Sequence, residues 1–465
     1  MKLLYILAFL FFQIGFLYAD KQGLSVSAGS RTTEVQILYE RLRSGLVEPP
    51  GWFLQNGFPA SNDLSGQYLN RNTEQVHFGG FGYSVSRERS EVHWNMLVAA
   101  KGNSSQPEIY LGKNSYIAGK LWGLLIGVGR KEHSFRSSPF IGYSDGGEGV
   151  FFEKIFSEHL KAQVFLWDYY QGYRLFEKEF LSPEIISNGK KERATGQRRR
   201  HSLGLTYGKK SSLSLGIQYL EQGSWGKQSR EIEPDVKEKG GDGDSLVTGV
   251  IGGKFDWNEF YLLGEFLWAK GTDRTYSKSI QNQGSLPVEG EAVSFGVGWK
   301  NRLYGVRWSH FLNDSDRRSD TNKLYSLGFI GTGTHLGSTL FLSQVLQIYP
   351  GGFVTGNGLE RNQTLLNGRT PAYYSELILS YNTDLFSFRM IGAYFLPYLA
   401  EGKSDGKISF KKERFEMFFL AESGLETSIH LEGVLELGVL VSYLWSSESL
   451  GLQGTMVSSF GRIQF

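Results

Sequence analysis

Most of the residues in this chain that could do chemistry are charged, and their spacing limits what that chemistry is. The densest run is "NGKKERATGQRRRH" (188–201), where Lys190, Lys191, Arg193, Arg198, Arg199 and Arg200 stand against Glu192 alone. Arginine holds phosphate and carboxylate through paired N–H donors. The run therefore suits anionic lipid headgroups or an anionic solute; a plain solvated charge run is the other reading. The acidic tracts "EIEPD", "GGDGDS" and "NDSDRRSD" lack the twelve-residue ligand spacing of a calcium loop and read as solvated loops.

The eight histidines, at 77, 93, 133, 159, 201, 310, 335 and 430, form neither HExxH nor a paired metal spacing. No metal and no cofactor is expected. "GTGTHLG" (331–337) lacks the glycine spacing and the following helix of a dinucleotide fingerprint, and "WGKQS" (225–229) is not a phosphate loop. A hydrolase needs its nucleophile and base on one side. Ser309 and His310 adjoin, but on a strand they face opposite ways. An enzyme is therefore not expected, and a barrel hydrolase is the least favoured alternative.

The remaining candidates are single charges set among alternating residues: Lys300, Arg307, Arg389, Glu265, Glu376 and Glu436, with Arg130 and Arg462. Rings of charge along a pore set ion selectivity. Their mixed signs predict modest selectivity, with most of them solvated or paired.

What must position these charges is a strand. From Val434 to Trp445, residues Leu435, Leu437, Val439, Val441, Tyr443 and Trp445 fall on one face, with Glu436, Gly438 and Ser442 on the other. Val293, Phe295, Val297 and Trp299 likewise oppose Ser294, Gly296, Gly298 and Lys300. Twenty candidate strands follow. They cover 33–43, 76–87, 91–101, 108–116, 120–131, 147–157, 160–171, 199–209, 211–222 and 245–255. The rest cover 258–270, 289–300, 302–312, 322–332, 336–346, 373–382, 385–396, 411–421, 433–446 and 455–465.

Short gaps alternate with long polar ones at 132–146, 172–198, 223–244, 271–288, 313–321, 347–372 and 397–410. A soluble sandwich has no reason for that alternation, whereas a membrane barrel has tight periplasmic turns and long outer loops. The expected fold is all-β: one transmembrane antiparallel β-barrel of 18 to 20 strands over residues 33–465. An even count lets the first and last strands pair and leaves no open edge in lipid.

Composition agrees with this. Of 465 residues, 59 are Gly and 14% are aromatic, while only 11 are Pro. Cysteine is absent, which excludes disulfides and thiolate metal sites, and a net charge of +2 argues against nucleic-acid binding. "MKLLYILAFLFFQIGFLYAD" reads as a signal peptide over residues 1–19, and residues 20–32 as a short periplasmic segment before the barrel.

The final stretch "SSFGRIQF" puts Ile463 and Phe465 on one face of the last strand. With the leader, the absence of Cys and the alternating strands, it resembles the outer-membrane barrels of diderm bacteria. More loosely, "GVGRKEHSF" followed by "DGGEGVFFEK" resembles alginate-export-type channels. The resemblance implies a porin-like channel for small or oligomeric hydrophilic solutes, and a last strand read by the barrel-assembly machinery. It also implies outer-membrane lipid and lipopolysaccharide as surroundings, with homo-oligomers an open matter. The alternative is a surface barrel acting as adhesin or receptor.

Overall fold

The computed structural model describes residues 21–40, 67–101, 108–111, 114–131, 141–143, 148–169, 197–223, 231–233, 236–237, 244–275, 284–314, 322–324, 334–336, 371–397, 399–402, 408–411, 419–447 and 452–464. Among them every regular element is a strand. The wall opens with β1 (Lys21–Glu40), β2 (Gln67–Ser86) and β3 (Ser90–Lys101). Next come β4 (Glu108–Leu111) and β5 (Ser115–Leu121), which both lie along β3 as halves of one stave, then β6 (Leu124–Arg130). After β7 (Ile141–Tyr143), outside the wall, β8 (Glu148–Ile155), β9 (Leu160–Tyr169), β10 (Gln197–Gly208) and β11 (Ser212–Gly223) continue it. A separate ribbon, β12 (Glu231–Glu233) with β13 (Val236–Lys237), precedes β14 (Asp244–Trp257), β15 (Phe260–Thr275), β16 (Gly284–Lys300) and β17 (Tyr304–Asp314).

β18 (Asn322–Leu324) meets β16 through one parallel pair, and β19 (Thr334–Leu336) lies outside the wall. β20 (Pro371–Asn382) and β21 (Phe386–Pro397) resume it, followed by a ribbon of β22 (Leu399–Gly402) and β23 (Ile408–Lys411). β24 (Leu420–Leu431), β25 (Leu435–Ser446) and β26 (Leu452–Gln464) complete the wall. Twenty strands share the main sheet; with β4 and β5 as one stave and β18 as an appendage, the wall has eighteen.

The wall closes where β1 pairs antiparallel with β26, from Ser27↔Gln464 to Tyr39↔Leu452. Closure satisfies every ladder and leaves no edge. Short turns (87–89, 122–123, 209–211, 301–303, 383–385) gather at one rim, and the long connections leave from the other. Local chemistry sets the turns. Asn301 Oδ1 accepts from the N–H groups of Leu303 (2.9 Å) and Tyr304 (2.7 Å), as an Asx-turn requires. Trp122 and Gly123 both have positive φ, 50° and 74°, which a two-residue hairpin loop demands.

Four expectations need correction. The strand expected at 120–131 is broken by the turn at Trp122 and Gly123, where β5 folds back into β6. Residues 21–32 are not a segment ahead of the barrel but the first part of β1, whose Lys21 pairs with Ser86. Leu24 and Val26 do alternate there with Ser25 and Ser27, but residues this small leave a faint pattern. Segments 322–332 and 336–346 are not staves: β17 pairs directly with β20, and the described strands between them are only β18 and β19. Local alternation cannot say which neighbour a strand will find. The wall strand expected at 411–421 is β24, from Leu420 to Leu431, whose large apolar residues facing out are few.

The excess of glycine and the excess of aromatics are one feature. Gly127 stands directly across from Phe151, Gly438 from Phe460 and Gly298 from Tyr261. Each ring folds over its glycine: a Cβ at Gly127 would sit 2.1 Å from Phe151 Cζ, and one at Gly438 2.2 Å from Phe460 Cζ. Such cross-strand pairs pin register. Gly127→Val should destabilise the barrel by about 1–3 kcal/mol, the usual cost of overpacking. Urea unfolding in lipid vesicles reads it, and an unchanged midpoint would mean that Phe151 moves aside freely.

Candidate functional site

The two faces of the wall are inverted relative to a soluble protein. Large apolar side chains point out and stand open, Tyr207 at 61% and Trp257 at 70%, while Ser309 and Ser458 point in at 0%. Leu203, Leu205, Leu213, Leu215 and Ile217 continue the exposed face on β10 and β11. Water is a poor partner for such a surface, and hydrocarbon a good one. Aromatic residues mark both ends of the band: Tyr304 with Tyr381 (5.0 Å) near the short turns, and Tyr443 with Trp445 (5.8 Å) toward the other rim.

Inside, the charges pair across neighbouring strands. Arg307 Nη2 lies 2.7 Å from Glu376 Oε1, and the Tyr374 hydroxyl donates to Glu376 Oε2 at 2.9 Å. Arg389 pairs with its register partner Glu426, and Arg462 with its register partner Glu436 at 2.7 Å. Ser294 Oγ lies 3.4 Å from the buried Glu265. Lys300, at the end of β16, is exposed. Thus Arg307 and Glu376, chosen separately by parity, form one pair. Glu436 and Arg462, both chosen by parity, likewise form one pair, whereas Arg389 meets Glu426, a residue that parity had not singled out.

Sequence reasoning missed a second arc of charges. Lys120 pairs with Glu91 at 2.8 Å, and Glu153 receives both Lys131 (3.1 Å) and Lys161 (3.2 Å). Lys131 also lies over the rings of Tyr116 (5.1 Å) and Phe151 (4.8 Å), a cation–π arrangement. Lys254 meets Asp256 at 2.6 Å. Alternation in "LKAQVF" places Lys161 opposite the apolar face, but "FFEKI" carries a ring and a charge on each face, so Glu153 could not be assigned; the partnership depends on register. Ser309 and His310 do face opposite ways. Ser309 is inward, and His310 is on the outer face, its Nδ1 2.7 Å from the Tyr373 hydroxyl. A different cluster faces inward near the short turns: Ser387 Oγ and Ser428 Oγ are 2.6 Å apart, both near His430 Nε2 (3.3 and 3.2 Å).

The lumen has two levels. Paired charges line the half nearer the short turns. Toward the other rim, the inward side chains of Phe311, Tyr374, Phe395, Leu444 and Met456 are fully buried. Side chains facing open water would be exposed, so these, all on the arc from β17 to β26, are covered. One connection across it is explicit: β7 and β19 pair antiparallel, His335 against Gly142. β7 sits between β6 and β8, and β19 between β17 and β20. Around the wall these junctions are separated by eight staves one way and ten the other. A ladder joining nearly opposite points of one rim has to cross the mouth.

Of the basic run, Arg198, Arg199 and Arg200 belong to the end of β10, opposite Gln222, Glu221 and Leu220, rather than to a loop. Lys190, Lys191 and Arg193 lie outside the described residues, as do Phe465 and the proposed leader, residues 1–19. Ile463 faces outward on β26, exposed.

No family model and no curated protein matches the chain. Solved structures do. OpdQ of Pseudomonas aeruginosa superposes with a TM-score of 0.50 at 8% identity, over 95% of this chain and 97% of that one. OccK8 (OprE) of Pseudomonas aeruginosa gives 0.50 at 10% identity, over 95% and 98%. At such identities the likeness concerns the fold alone: a closed, antiparallel, eighteen-stranded β-barrel.

Proposed function

We propose that the protein is an integral outer-membrane channel through which small or oligomeric hydrophilic solutes diffuse passively. The short turns face the periplasm and the long connections face outward. One observation carries this reading: a closed wall of eighteen staves with an apolar outside and a polar, ion-paired inside. Side chains fill a barrel of eight strands; one this large leaves a passage unless the chain obstructs it. The paired wall charges give modest ion selectivity, since each cation has an anion beside it. On this reading Lys300, exposed at the periplasmic mouth, is the charge with most influence on passing ions. Ile463, on the outer face, and Phe465 form the signal for barrel assembly, and copies that associate do so through the outer face.

Purified protein in planar bilayers should show discrete openings with reversal potentials of only a few millivolts under a salt gradient, roughly the signature of a charge-balanced pore. An absence of openings at every voltage would favour the adhesin or receptor reading instead. Exchanging Arg198, Arg199 and Arg200 for serine should reduce any anion preference if that end of β10 lines the mouth.

A further inference from the structure

Among the described residues, the outer face of the wall carries a hollow of about 580 Å³ near the short-turn rim, among β11, β14 and β15. Its floor is two glycines in direct register, Gly253 and Gly264. Phe255 and Leu262 line it toward the short turns and Leu213 lines one end; by register, Ile251 and Phe266 stand beyond the glycines on the far side and Phe295 beside Gly264. All six are exposed apolar side chains on the outer face. A Cβ at Gly264 would meet nothing within 4 Å, so the floor is open.

Within a bilayer, apolar contact alone gives no preference for one site, because lipid chains are as apolar as leucine. Closeness does. Where glycines remove the side chains, a neighbouring chain reaches the backbone and gains van der Waals contact. The hollow admits such a chain edge-on, between rings. Ser211, one of its lining residues, adjoins Lys210 and Lys209 in the β10–β11 turn. Lys209 pairs with Glu158, whereas Lys210 is exposed and has no ion pair among the described residues. Lys210 lies three positions before Leu213, about 10 Å of extended chain, which spans a phosphate and the first part of its acyl chain.

We propose that this hollow binds one acyl chain of an anionic phospholipid from the short-turn leaflet, with Lys210 at its phosphate. The site lies outside the lumen and serves attachment to the bilayer rather than passage of solute. It rests on the membrane reading of the outer face, not on channel activity.

Native mass spectrometry of the detergent-solubilised full chain, titrated with dioleoylphosphatidylglycerol or dioleoylphosphatidylcholine, tests it. One phosphatidylglycerol should stay bound preferentially. Gly264→Leu fills the floor without strain and should weaken both lipids about tenfold. Lys210→Ser should weaken phosphatidylglycerol about fivefold and leave phosphatidylcholine unchanged. Retained heat-dependent gel mobility shows that each variant folds. If both variants bind as the parent does, the proposal is wrong. It is equally wrong if Gly264→Leu converts a dimer to monomer with lipid binding intact, because the hollow is then a socket between copies. Bilayer conductance, measured separately, reports on the channel reading: a closed barrel that binds phosphatidylglycerol refutes transport without touching this site.

Discussion

Glu376→Ala should destabilise the barrel by about 3–5 kcal/mol, the largest single-residue effect the inner wall offers. The Glu376 side chain is 0% exposed, and its two oxygens take the Arg307 guanidinium and the Tyr374 hydroxyl. Removing the carboxylate leaves the Arg307 guanidinium, 20% exposed, without the anion it meets at 2.7 Å. The penalty combines the lost attraction with the cost of a part-buried cation that has lost that partner. Glu376→Gln keeps the shape and an acceptor oxygen and should cost less. Arg307→Met combined with Glu376→Leu removes both charges and should recover most of the loss. Urea titrations in vesicles, followed by Trp fluorescence, rank the variants. If Glu376→Ala unfolds at the parental midpoint, the pair is a surface-like contact and the inner wall is wetter than its burial implies.

The second large effect concerns the mouth. His335→Pro together with Gly142→Pro puts two prolines, which lack an N–H and fix φ, at the central pair of the β7–β19 ladder and should break it. Nothing in the eighteen-stave wall depends on those residues, so the barrel should keep its stability. Single-channel conductance should rise about twofold, as freeing a crossing segment widens the narrowest section. Selectivity should shift little, because the paired charges of the other half stay in place. Unchanged conductance with an intact barrel would put the ladder outside the conduction path.

The lengths of the gaps, more than the alternation, made the barrel legible in advance. Alternation alone allows a sandwich, but tight turns at one rim and long polar connections at the other do not. Positions such as Arg307, Glu376, Arg389 and Glu436 were legible too, because parity assigns a face. The same rule failed at both extremes of residue size. At Ser25 and Ser27 it gave too faint a signal for the start of β1. At 322–332 and 336–346 it found alternation in a connection whose described partners are a lone pair with β16 and the crossing strand β7.

The amino-acid sequence by itself determined which side of each strand is apolar, that cysteine chemistry is absent, and that glycines and aromatic rings occur in excess together. These are properties of a residue and its immediate neighbours, and a period of two expresses them. Only the tertiary structure decided that Arg389 meets Glu426, that Phe151 folds over Gly127, and that the wall has eighteen staves. It alone joined β7 to β19 across the mouth. Register and closure depend on residues tens to hundreds of positions apart, and a one-residue slip turns every side chain to the other face.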